Sequence, residues 1–331
     1  MKAPVWRKHL AALLLTLPTA ALASEPDEVR LDYAYYAPTS LILKDQGILE
    51  RRLADRNISV RWVQSLGSNR ALEYLNSNSI DFGSTAGLAS VLSRANGSPV
   101  KVIYVASRPE WTALVVPQGS PIQNVADLRG KKIAATKGTD PYLFLLRTLN
   151  EAGLDKDDVE IIHLQHPDGR VALEQGRVDA WAGLDPHMAA SEIQAGSRLL
   201  SRNLDFNSYG VLNVSDTFAR EQPELIKEVI AAYEEARQWA LAHPEDTAAL
   251  LAKEAGLPLE VARLQLSRTD FSNPLPGAEH VAALKAAASI LVEEELVRRG
   301  TDVAAAVDQL ISPQLAAEVI GTGHLAKASG E

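Results

Sequence analysis

Cysteine is absent from this 331-residue chain. That excludes disulfides, thiol nucleophiles and thiolate metal sites, so packing alone must stabilise the fold even in an oxidising compartment. A chain of this length can bury enough surface to do so, and two domains are the natural division. Basic residues are outnumbered, 33 Lys and Arg against 42 Asp and Glu, for a formal net charge of −9. Such acidity counts against nucleic acid or an anionic membrane as partner, since both reward basic patches. No Walker loop or dinucleotide fingerprint occurs, so no phosphate-bearing cofactor is expected. His163, His166 and His187 lack ligand-like spacing, and no metal site is expected. Aromatics make up only 5% of the residues, so the position of each carries information.

Long apolar runs are also missing, with one exception at the N-terminus. Lys2, Arg7 and Lys8 precede an apolar stretch from Leu10 to Leu22, and Ala21-Leu22-Ala23 is a small-x-small cleavage motif before the acidic Ser24-Glu25-Pro26-Asp27. The stretch is too short to span a bilayer. Export with cleavage after Ala23 is expected, to the periplasm in a prokaryote, with an uncleaved anchor as the alternative. Removing this leader makes the chain still more acidic.

What the chain does contain is a repeated phrase. Leu75-Asn76-Ser77-Asn78-Ser79-Ile80-Asp81-Phe82-Gly83-Ser84 and Leu173-Glu174-Gln175-Gly176-Arg177-Val178-Asp179-Ala180-Trp181-Ala182 share a leucine, a polar turn, a β-branched residue and an aspartate in register. Each follows an apolar strand (Val60 to Val63; Val159 to Leu164) and a helical stretch, giving strand, helix, strand. Two α/β units whose strand ends face each other across a cleft describe a two-lobed binding protein, because ligands in open α/β sheets sit beyond the carboxyl ends of the strands. Chance recurrence of a common helix-to-strand turn is the competing account of the echo.

The first lobe reads as strand Val29 to Tyr36, helix Leu41 to Arg56, strand Val60 to Val63, helix Arg70 to Leu75, strand Ile80 to Phe82, helix Ala86 to Arg94 and strand Val100 to Ala106. Strands Thr112 to Val116 and Lys132 to Ala135 and a helix from Pro141 to Ala152 open a second unit over about 109–212. From Pro223 the pattern is of amphipathic helices, first marked by Leu225, Val229, Ala232, Ala236 and Trp239. The expected division is a leader at 1–23, lobe I at 24–108, lobe II at 109–212, and a helical return at 213–331 that packs on lobe I. Crossings are expected near Arg108 to Trp111 and near Asn213 to Asp216.

Four loops, Ala37 to Ser40, Gly67 to Asn69, Gly83 to Thr85 and Gly138 to Asp140, follow strands, contain Gly, Ser or Thr, and lead into helices. Helix starts carry unpaired N–H groups, so several converging on one cleft bind an anion without a basic side chain. Simple capping explains any one of them. Tyr36, Trp111 and Trp181 stand at strand ends or a crossing, where each could cover an apolar ligand chain or belong to the core; Trp62 and Trp239 read as core.

At this point the residues resemble a known group. Ile80-Asp81-Phe82-Gly83-Ser84-Thr85, Val125 to Ala134, Lys137-Gly138-Thr139, and Val178-Asp179-Ala180-Trp181 with Asp185-Pro186 look like the aliphatic-sulfonate, taurine and nitrate group of periplasmic substrate-binding proteins. The resemblance runs from about Val29 to Thr301. It implies an α/β, two-lobed type II periplasmic binding fold, a monomer that delivers its ligand to the permease of an ABC importer and needs no cofactor. It also implies ligand contacts from Thr39, Ser40, Ser68, Ser84, Thr85, Gly138 and Thr139, with Trp181 and Asp185 on the opposite lobe. Thr139-Asp140-Pro141-Tyr142 replaces the serine-rich stretch of the sulfonate binders, and Leu184 stands where an aromatic is usual. Asp140 is then either an N-cap or a counter-charge for an ammonium on the ligand.

The leading expectation is a binding protein for an organosulfur anion, first an aliphatic sulfonate. Taurine, a sulfate ester, nitrate or a thiamine-precursor-like heterocycle are the alternatives. Other classes are an enzyme on the same scaffold, against which no nucleophile with base and orienter is evident, and a subunit serving a membrane sensor.

Overall fold

The computed structural model describes residues 25–328, and the leader with its cleavage after Ala23 lies outside the described residues. In chain order the strands are β1 (Glu28–Tyr33), β2 (Ser59–Gln64), β3 (Phe82–Ala86), β4 (Val100–Pro109), β5 (Leu114–Val116), β6 (Lys132–Ala135), β7 (Glu160–His163), β8 (Ala180–Ala182), β9 (Arg198–Ser201), β10 (Gly210–Ser215) and β11 (Thr269–Asp270). They build two sheets, β11-β4-β10-β3-β1-β2 and β7-β6-β8-β5-β9. Each contains a parallel trio, β2-β1-β3 and β7-β6-β8, whose strands are joined by helical crossovers, as parallel neighbours require. The chain is thus a two-lobed α/β protein of the type II periplasmic binding fold.

The repeated phrase is a structural repeat. Asp81 accepts a bond from the N–H of Arg30 at 2.8 Å and donates its own N–H to the Arg30 carbonyl at 2.8 Å. Asp179 does the same with Lys132, at 2.8 Å in both directions. In both lobes the aspartate before the third strand fixes the register of that strand against the first.

Three sequence expectations are corrected. Gly83 to Thr85 is not a loop but the middle of β3, a central strand buried on both faces. A Cβ on Gly83 would lie 2.8 Å from Leu75, so the small residues there serve close helix-on-strand packing as well as any ligand. The helix from Leu41 to Arg56 is two helices, Pro38–Asp45 and Ile48–Leu53, broken at Gly47, whose φ of +59° suits glycine. The second crossing falls at 202–209 rather than 213–216, because β10 pairs antiparallel with both β3 and β4 and so belongs to the first sheet.

The helical return packs mainly on lobe I. Pro223–Ala242 buries Leu225, Val229, Ala232 and Ala236 against Pro38–Asp45 and Ile48–Leu53. Two return helices also reach lobe II. Leu259–Ser267 meets His187–Ala195, where Val261, Ala189 and Ala190 are buried together, and Ser289–Glu293 touches Asp140–Glu151. Charges reinforce both bridges. Arg268 reaches Asp185 at 3.4 Å and Glu192 at 2.5 Å, and Lys156 reaches Glu294 at 2.9 Å.

Candidate ligand-binding cleft

The carboxyl ends of β1 and β3 meet the first crossing around a small cavity of about 10 Å³, lined by Tyr36, Ala37, Pro38, Thr39, Ser84, Thr85, Ala106, Ser107, Trp111, Gly210, Val211 and Phe271. None of these side chains is charged and none is a histidine. Tyr36 and Trp111 form an edge-to-face pair, centroids 6.0 Å apart. Five of the expected residues, Tyr36, Thr39, Ser84, Thr85 and Trp111, are brought together here. The space is about that of one water molecule, so an organic ligand requires the lobes to part.

Polar ties set the walls. Asp32, fully buried beneath the cavity, accepts bonds from Ser65 Oγ at 2.6 Å and from Ser84 N at 2.7 Å. Burial pushes its carboxyl up to about 6, against the opposing pull of those bonds. Tyr36 donates its hydroxyl to the Ser84 carbonyl at 2.9 Å and lies 3.0 Å from Ser65 Oγ. Thr85 Oγ1 accepts from Asn213 Nδ2 at 2.7 Å and lies 2.6 Å from Ser90 Oγ, so its hydroxyl is committed to the framework. By contrast, the hydroxyls of Thr39 and Ser107 have no protein hydrogen-bond partner among the described residues.

The helix starts divide in the same way. At Gly87–Ala95 the Ala86 N–H goes to Ser68 Oγ, the Gly87 N–H to the Tyr209 carbonyl and the Leu88 N–H to Ser208 Oγ, so the second crossing and Ser68 occupy the donors an anion would use. The N–H of Thr39, in the first turn of Pro38–Asp45, has no such acceptor.

The remaining expected residues lie elsewhere. Ser40 ties its own turn, accepting from Ala34 N and donating to the Ala37 carbonyl. Thr139 donates to the Thr136 carbonyl at 2.6 Å, and Gly138 faces Asn69. Trp181 is fully buried in the core of lobe II, its indole against Gly169. Asp185 is also buried; its carboxylate accepts from Ala189 N at 2.9 Å and faces Arg268 across the lobes. Burial raises its pKa to about 7, with the Arg268 charge opposing.

Asp140 is not the N-cap of its helix. The helix Asp140–Glu151 is capped at Thr139 without a side-chain bond. The Asp140 carboxylate turns instead to the two crossings, accepting from Trp111 Nε1 at 3.1 Å, Ser208 N at 2.8 Å and Ser208 Oγ at 2.8 Å. It is buried, and burial outweighs these bonds to raise its pKa. With its oxygens occupied by neutral donors, it pins both crossings to the start of a lobe II helix.

Sequence reading did not single out Ser107 or Phe271, which line the cavity. Ser107 lies within β4 just beyond the apolar run read as Val100 to Ala106, and Phe271 arrives from the distant return. His166 is fully buried at the first position of His166–Glu174. Larger cavities exist, about 280 Å³ beside Arg108 and Arg147, and about 580 Å³ between Ser68–Asn76 and Gly87–Ala95. In the first of these the guanidiniums are engaged: Arg108 faces the Asp205 carboxylate at 3.5 Å, and Arg147 donates to the Asp205 carbonyl and lies over the Phe206 ring. The second lies on one lobe apart from Gly138.

A family model described as NMT1/THI5 like matches residues 53–247. A protein of Escherichia coli (strain K12) named "Putative aliphatic sulfonates-binding protein" is 34% identical over 301 residues, 89% of this chain and 94% of that protein. The alkanesulfonate-binding protein SsuA from Xanthomonas axonopodis pv. citri, solved bound to MOPS, superposes with a TM-score of 0.79 at 27% identity, over 88% of this chain and 99% of that one. The desulfurization enzyme DSZB shares the fold at 18% identity, with a TM-score of 0.65 over 90% of this chain and 100% of that one.

Proposed function

This chain belongs to the NMT1/THI5-like family, and from that premise we propose that it is the exported, periplasmic solute-binding component of an ABC importer, capturing an aliphatic sulfonate between its lobes. The observation that carries the reading is the uncharged cavity at the strand ends, where the unpaired hydroxyls of Thr39 and Ser107, the Ser84 hydroxyl and the Thr39 N–H surround a space walled by Tyr36, Trp111 and Phe271. Neutral oriented donors hold a strong-acid oxyanion without a counter-charge, and the rings cover its carbon chain. The lining holds no histidine or carboxylate to activate a hydroxyl, which supports binding rather than catalysis. Closure of the lobes on the ligand would then present the closed form to the permease.

A thermal-shift series tests this. A ligand at 100 times its dissociation constant stabilises by about 2.7 kcal/mol, several degrees in melting temperature. Ethane- and propanesulfonate should raise the melting point and the matching alkylammonium salts should not. Taurine, sulfate esters, nitrate and a pyrimidine thiamine precursor complete the panel. No response to any sulfonate would overturn the reading.

A further inference from the structure

The organic end of the ligand has its own requirements. Among the described residues, eight buried side-chain nitrogen or oxygen atoms lack a hydrogen-bond partner, and three of them lie on two helix starts from opposite lobes: Asn69 Oδ1, Gln165 Oε1 and His166 Nε2. Such orphans are uncommon in folded proteins, and each calls for a cause. Asn69 Oδ1 and His166 Nε2 both border Gly67, where a Cβ would lie 2.9 Å from the first and 3.0 Å from the second, which places the two atoms within about 6 Å of each other.

The tautomer of His166 follows from its neighbour. Thr136 Oγ1 gives its proton to the Leu164 carbonyl at 2.7 Å, so toward His166 Nδ1, 3.2 Å away, it can only accept. Nδ1 therefore carries the hydrogen, and Nε2 presents a bare lone pair. The fully buried ring also resists a second proton: burial, aided by the nearby His187, lowers its pKa to about 3. All three orphans are thus acceptors, and the helix start that carries Asn69, with the loop before it, is tied to the strand-end pocket through Ser68 and Ser65.

We infer that Asn69, Gln165 and His166 form a second subsite of the same cleft that accepts hydrogen bonds from an uncharged O–H or N–H donor on the organic part of the ligand, which makes a hydroxyalkanesulfonate the preferred class. This rests on the sulfonate reading above. An ammonium suits the subsite poorly: Asp140 and Asp185 are already engaged, and the adjoining helix starts carry partial positive charge, so a cation there would be desolvated without a counter-ion.

The test is calorimetry at pH 7 on the full chain with matched ligands: 2-hydroxyethane- and 3-hydroxypropanesulfonate, their unsubstituted parents, and taurine. At least one hydroxy ligand should bind tenfold or more tightly than its parent, and taurine no more tightly than ethanesulfonate. His166→Leu should abolish the hydroxyl advantage while leaving ethanesulfonate within about threefold, and Asn69→Leu is the second variant should the first not fold. Equal affinities for hydroxylated and parent ligands, a preference for taurine, or a uniform loss across all ligands in the variants would overturn the inference and leave sulfonate binding standing. The uniform loss would mean that Asn69 and His166 only hold the lobes together. If no sulfonate binds the wild-type chain, the parent reading fails and this one with it.

Discussion

Asp140 shows what a single residue can and cannot disclose. Its departure from the serine-rich pattern of similar sequences was visible, but its partners, Trp111 and Ser208, come from two distant crossings, and no local spacing brings them together. Asp140→Asn would set an amide N–H against three donors. It should lower unfolding stability by about 1–3 kcal/mol, read by chemical denaturation, and should weaken taurine and ethanesulfonate alike. Selective loss of taurine would restore the counter-charge account. Asp185 carries a pH signature. Its folded pKa of about 7 lies well above the ordinary range of an aspartate, so near neutral pH the folded state holds a proton that the unfolded chain releases. Its contribution to stability is therefore full at low pH and declines as pH rises from about 4 to about 7. His166 and His187, depressed to about 3 and about 4, act in the opposite direction over part of that range, so the wild-type curve alone mixes the two. The difference is diagnostic: the melting temperature of Asp185→Asn minus that of wild type should rise between pH 4 and pH 7. A flat difference would contradict the assignment.

At the scale of elements, legibility followed sequence distance. The aspartates of the repeated phrase fix equivalent strands because helix, turn and strand are contiguous, and that much could be read from the chain. Gly83 to Thr85 was misread because glycine, serine and threonine signal a loop in isolation, whereas here they line a central strand packed under Leu75. β10 was displaced from its sheet because an apolar run does not say which sheet receives it. Gly67 offers a test of how the elements meet. A Cβ there would press on Asn69, which can swing aside, and on the His166 imidazole, which is fully buried. Gly67→Ala should therefore hold the lobes slightly apart, with an expected loss of tenfold or more in ethanesulfonate affinity by calorimetry. Unchanged affinity would mean that the two helix starts need not approach when the ligand is bound.

For the whole molecule, the two lobes are joined by contacts that no sequence period announces: Arg268 with Asp185 and Glu192, Lys156 with Glu294, and Val261 against Ala189 and Ala190. Removing Arg268 would leave the buried Asp185 and the neighbouring Glu192 without their shared partner, so the joined arrangement loses a tie across the lobes. Arg268→Met should therefore widen the ligand-free protein in solution scattering and speed ligand release. The central claim is that an aliphatic sulfonate lies at the strand ends of lobe I with lobe II closed over it. It is tested most directly by crystallising the protein with ethanesulfonate and locating the sulfur in the anomalous difference map. The account predicts the sulfonate oxygens within hydrogen-bond distance of Thr39 Oγ1 and of Ser84 or Ser107 Oγ, with the carbon chain against Tyr36 and Trp111. Sulfur density beside Arg108 and Arg147 instead, with the hydroxyl cavity unfilled, would contradict it.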